Sequence, residues 1–229
     1  MERSSVKKII SIFVLLTGSI LLLVLGLVVF REKRYAWISF GIAALSCIVI
    51  LYGFDRRHTH IRRVVLISVM TALSVAGRFL FAVVPAFKPM TAVIVMTGMY
   101  FGAEAGFLCG AFTAVLSNFY FGQGPWTPFQ MVSFGTIGLF AGICHKPLKR
   151  SGIALSFYGI FAGALYSFIM DIWTVLWSQS SFDPELYRTA LLTAVPFTTL
   201  YCISNVIFLL LMRRPLGTRL ERVITKYGV

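Results

Sequence analysis

Seven long apolar runs, Ile9–Phe30, Ala36–Phe54, Val64–Val84, Ala105–Phe121, Phe129–Cys144, Ile153–Trp177 and Ala190–Met212, are separated by short polar interruptions. Most are near the length at which an α-helix crosses about 30 Å of hydrocarbon. An eighth, Thr91–Gly102, is too short to span alone and follows Pro85 and Pro89, so it reads as a short or partly re-entrant helix. With 58% hydrophobic and 13% charged residues and a mean hydropathy of +0.86, the chain cannot clothe a water-facing surface. The alternation of a barrel strand is missing, and helices satisfy their own backbone in lipid. The expected fold is an all-α integral membrane protein.

The net charge of +13 raises the question of nucleic acid, and its distribution argues against it. Lys and Arg gather at segment ends: Arg56, Arg57, Arg62 and Arg63, then Lys146, Lys149 and Arg150, then Arg213, Arg214, Arg219, Arg222 and Lys226. Basic residues flank membrane helices on the cytoplasmic side, so these blocks mark three cytoplasmic connections, with a contribution from anionic lipid. Connections around Lys88, Gly122–Thr127 and Asp183–Arg188 then face outward. The last six segments make a unit with both ends in the cytoplasm. The first two form an N-terminal transmembrane hairpin, in which Arg31–Arg34 falls on the wrong side for the rule. The division is an accessory hairpin over 1–60 and a core over 61–229 that ends in a basic cytoplasmic tail.

No catalytic constellation survives this placement. His58, His60 and His145 fall in basic cytoplasmic loops, where they read as solvated residues. Cys47, Cys109, Cys144 and Cys202 are scattered through apolar segments, without metal-ligand spacing or paired external positions. A phosphate-binding glycine loop is missing, so the chain has no means of its own to use ATP. The expectation is a protein that is not an enzyme and binds no metal or cofactor.

What remains is polar and aromatic material near one membrane face. The stretch FGQGPWTPFQM, Phe121–Met131, carries two prolines, two glycines, two glutamines and a tryptophan without any charge. Gln123 and Gln130 offer donors and acceptors, Trp126 offers a flat face, and Gly and Pro stiffen a backbone that a ligand can approach. Asn118 and Tyr120 precede the stretch. Asp171, two turns before the end of its helix, is an intramembrane carboxylate and a candidate by its cost alone, with a structural pair to Arg78 as the plainer reading. Trp173 joins it, whereas Trp177 suits an aromatic belt. This set fits a sizeable ligand that is uncharged or of mixed polarity, and not an ion filter. Gly102, Gly106 and Gly110 permit close helix approach, and Ala72 and Ala76 make a smooth patch for another helix.

On these residues the chain from about Ile61 to Met212 resembles the substrate-binding S component of an energy-coupling factor (ECF) vitamin transporter. The six-helix topology, the AxxxA pattern at Ala72 and Ala76, FGAEAGFLCGA and the outer FGQGPWTPFQM carry the likeness. The last is the most specific and is similar to the branch that handles cobalamin and its precursors. The resemblance implies capture of a vitamin, a corrinoid before other vitamins or a queuosine-type precursor, outside a prokaryotic plasma membrane. It implies partners: a transmembrane coupling subunit that docks at Ala72 and Ala76, and two cytoplasmic ATPases that use ATP. It implies import by reorientation of the whole subunit, which uncharged outer loops would ease. A stand-alone secondary transporter is the competing class, but inverted repeats are not evident. The extra N-terminal hairpin departs from the family pattern.

Overall fold

The structure, a computed structural model, describes residues 59–179 and 183–227 together with isolated positions between 10 and 41. The expected N-terminal hairpin lies largely outside the described residues. Among those described the fold is helical throughout, without strands. The helices are α1 (Thr59–Leu80), α2 (Met90–Phe101), α3 (Ala103–Phe121), α4 (Trp126–Ile143), α5 (His145–Arg150), α6 (Gly152–Gln179), α7 (Pro184–Arg213) and α8 (Pro215–Tyr227). Three of them, over Ile61–Leu80, Gly152–Ser178 and Pro184–Arg213, are long and apolar enough to cross a membrane. Much of their large apolar surface, including Val65, Leu80, Phe157, Leu192 and Leu211, is exposed, as a lipid solvent allows.

Helix α2 is the centre of the bundle, and its sequence explains why. MTAVIVMTGMYF is apolar on every side, and all of it is buried except Tyr100. Pro89 opens it, since a proline's missing N–H costs nothing there. Gly102 closes it at φ 97° and ψ 170°, a conformation open essentially to glycine alone, and α3 starts at once. Beyond this break, α3 lies against α4 along a glycine seam. A Cβ on Gly106 would strike the Gly138 carbonyl, and one on Gly110 would strike that of Phe134. The seam reaches α2 through Gly98, which faces Gly138 in the same way. Helices this close gain dispersion contacts that bulkier residues would prevent.

Helices α6 and α7 form a long hairpin. Asp183 caps α7 by accepting from the backbone N–H of Glu185 at 2.9 Å and Leu186 at 3.4 Å, with Pro184 in the first turn. Gly163 lets Cys202 approach, and Gly159 lets Val206 do so. The connection from α1 to α2 is pinned to α7: the Lys88 N–H donates to Ser204 Oγ at 2.9 Å, while Phe81 and Phe87 pack on Phe208.

Three expectations are adjusted. The third apolar run is helical only to Leu80 and continues as turns toward Pro85. The stretch FGQGPWTPFQM is a turn only over its first part, because Pro125 caps α4 and Trp126 begins it. Pro128 sits in that first turn, where it removes no helical hydrogen bond. The basic tail is itself a helix, α8, with Leu216, Gly217 and Leu220 turned inward and Arg219 and Arg222 outward.

Candidate functional site

At the end of the bundle where α1 and α3 finish and α4 begins, one polar network ties four helices together. Arg78, near the end of α1, donates from Nη1 to Asn118 Oδ1 at 2.8 Å and to Ser117 Oγ. Asn118 Nδ2 in turn donates to Thr127 Oγ1 at 2.9 Å and to Gln130 Oε1 at 2.8 Å. Gln130 Nε2 reaches Tyr166 Oη on α6 at 3.4 Å. Gln123 closes the turn, donating to the Val115 carbonyl at 2.8 Å and accepting from Thr127 Oγ1 at 3.0 Å. Buried polar groups must be paired to be tolerated, and here the protein pairs them itself. Asn118, 1% exposed, and Gln130, 9% exposed, are held as parts of a wall.

In front of that wall lies a cavity of about 520 Å³, mouth included. It is lined by Arg78, the connection residues Ala86 and Lys88, Met90 and Thr91 of α2, Phe134 of α4, Gly163 and Tyr166 of α6, and Tyr201 and Asn205 of α7. Three rings form an aromatic corner. Phe134 stacks on Tyr166 with centroids 4.7 Å apart, and Tyr201 meets Tyr166 edge-on at 5.1 Å. Such rings give a flat ligand both stacking area and hydroxyl donors. Ala86 stands at φ 58°, a left-handed conformation that costs an ordinary residue energy and fixes the rim.

The residues singled out in the sequence fall into four groups. Asn118, Gln123 and Gln130 belong to the network, which meets the cavity through Arg78 and Tyr166. Trp126 and Trp173 meet edge-on at 5.8 Å, and Trp173 stacks on Trp177 at 5.9 Å, in an aromatic row across α4 and α6. Tyr120 is 75% exposed and packs on Phe79 and Phe121. Asp171 is half-buried with Ser167 as its hydrogen-bond donor at 3.5 Å, and Ser167 also bonds Thr198 at 2.6 Å. Arg78 therefore takes its partners from α3 and not from Asp171. Sequence reasoning missed Phe134, Tyr166, Tyr201 and Lys88 as lining residues. The signal that was present is Arg78 itself, a charge inside an apolar run.

The opposite end carries described residues of all three basic blocks. Arg63 donates to the Phe101 carbonyl at 2.6 Å, Lys149 lies 4.1 Å over the Tyr100 ring, and Arg213 donates to the carbonyls of Lys149 and Arg150 at 3.1 and 2.9 Å. A wider cleft of about 1230 Å³ opens there, lined by Arg63, Glu104, His145, Lys149 and the Gly102 break among others. His145 is therefore not merely a loop residue: it opens α5, and its Nδ1 lies 2.9 Å from the Gly142 carbonyl.

A family model described as ECF-type riboflavin transporter, S component, matches residues 58–222. Neither the curated proteins nor the solved structures contain a match to this chain.

Proposed function

Because the chain belongs to the family of ECF-type riboflavin transporter S components, we propose that it captures a vitamin at the aromatic cavity for import driven by partner subunits. The ligand favoured is a flat heteroaromatic vitamin, riboflavin first. The observation that carries this reading is the corner of Phe134, Tyr166 and Tyr201 beside Arg78, all of which line one cavity. A corrinoid is the second reading, favoured by the likeness of Gly124–Gln130 to the cobalamin branch. It is the larger molecule and would need the rim formed by Ala86 and Lys88 to open. In either case Asn118, Gln123 and Gln130 serve by holding Arg78 and Tyr166 in place, and Trp126, Trp173 and Asp171 by supporting the adjoining wall. Tyr120 stands on the outside of that wall.

The convergence of Arg63, Lys149 and Arg213 at one end supports a cytoplasmic placement of that end by the positive-inside rule, with the aromatic cavity external. Both termini of the core are then cytoplasmic and the chain crosses the membrane several times. Ala72 and Ala76 are exposed one turn apart on α1, the smooth face a coupling subunit's helix requires. The ATPases bound to that subunit supply the energy.

The test is calorimetric titration of the purified protein with a panel of vitamins. A flavin binding at one site per chain supports the reading. Tight binding of cobinamide and cobalamin with no heat from flavins selects the corrinoid, and silence from every vitamin rejects the function.

A further inference from the structure

We propose that Arg78 and Lys88 form an anion-recognition pair in the aromatic cavity, so that the ligand presents a phosphate or carboxylate to them. This rests on the vitamin-capture reading and sharpens it. Both cations line the cavity, and among the described residues no Asp or Glu does. They flank one ring: the Arg78 guanidinium carbon is 4.6 Å and the Lys88 ammonium 5.5 Å from the Phe121 centroid. Asp171, the carboxylate of α6, is not among the lining residues and accepts from Ser167.

The geometry of each cation suits the task. Arg78 uses Nη1 for both of its bonds to α3, which fixes the plane of the guanidinium and leaves Nη2 and Nε as donors among the described residues. A planar fork held this way is pre-organised for two oxygens of one anion. Lys88 is anchored by its backbone, since Ser204 Oγ bonds both its N–H and its carbonyl, while the ammonium is left on a flexible stem. Like charges gathered in a partly dry site repel, and cation–π contact with Phe121 offsets that only in part. Burial, and after it the charge of Arg78, holds the Lys88 ammonium below the usual lysine range. An anion between the two would relieve both costs.

The experiment uses the purified full chain and ligand pairs that differ by one phosphate: riboflavin with flavin mononucleotide, and cobinamide with cobinamide phosphate. A 10-carboxymethylflavin distinguishes carboxylate from phosphate as the preferred group. In the pair that binds, the anionic member should bind about tenfold tighter or better at low salt, with the preference shrinking as salt is raised. Lys88→Gln and Arg78→Gln should each bring the ratio of the two affinities close to one. Because the readout is a ratio on the same variant, a general loss of folded protein cannot imitate it. If the neutral member binds as tightly as both anionic forms, or if both variants keep the full preference, the anion pair is wrong and vitamin capture stands. If no pair binds, both readings fall.

Discussion

The two ends of the bundle each combine cations with aromatic rings, yet they treat charge in opposite ways. At the basic end Arg63 is bonded to the Phe101 carbonyl, Lys149 rests on Tyr100, and Glu104 lines the same cleft. Those cations are answered by the protein and stitch helix ends together. At the other end Arg78 and Lys88 face a cavity that no described carboxylate lines, beside a network in which Asn118 and Gln130 are paired within the protein. The larger cleft is thus the poorer candidate for capture. Volume alone would choose it, and the balance of charge and the corner of three aromatic rings argue for the smaller cavity.

The most damaging change should be at the seam both ends share. Gly138→Leu pushes a side chain into the Gly106 carbonyl, beyond the ~1–3 kcal/mol of ordinary overpacking. It should yield little monodisperse protein on size exclusion; a folded variant with an unchanged thermal midpoint would refute the seam. Next, Ala72→Trp should abolish uptake in cells that supply the coupling subunit and ATPases while leaving vitamin binding by the isolated chain intact. Equal loss of both would mean that Ala72 packs the core.

Smaller effects separate the cavity from its surroundings. Tyr166→Ala removes a ring that touches Phe134, Tyr201 and Gln130, and should weaken vitamin affinity by about 10- to 100-fold. Trp126→Ala loses an edge contact to Trp173 worth roughly 0.5–1.5 kcal/mol, so about two- to tenfold in affinity; Trp177→Ala, half exposed, should change it less than about twofold. A larger effect from Trp177 than from Trp126 would move the site along the aromatic row. At the far end, Lys149→Ala should leave affinity within about twofold, and a greater loss would bring the basic cleft back as the site.

The fold was legible where covalent preference or solvent dictated it. Pro85 and Pro89 on one side and Gly102 on the other leave room only for a short helix, and that is α2. Gly106 and Gly110 promised close approach, and the Gly138 and Phe134 carbonyls are what approach them. The site was less legible because its parts are distant in sequence. Tyr166 and Tyr201 meet only once α6 and α7 have paired, and nothing local to either marks it as a lining residue. Polar type also says nothing of direction: Gln123 and Gln130 have the chemistry to bind a ligand, but their amides are turned to Val115, Thr127, Asn118 and Tyr166. Helix α8 had a readable signal in the spacing of Leu216, Leu220 and Ile224, masked by the basic residues between them.

The central claim is that the aromatic cavity, and not the basic cleft, takes the vitamin. It is tested most directly by one calorimetric series on the unmodified chain, Tyr166→Ala, Tyr201→Ala and Tyr100→Ala, titrated with the vitamin that binds the unmodified protein. One site per chain, weakened about tenfold or more by each of the first two changes and by less than about twofold by the third, is the predicted result. Full affinity in both Tyr166→Ala and Tyr201→Ala, with loss in Tyr100→Ala, would contradict it.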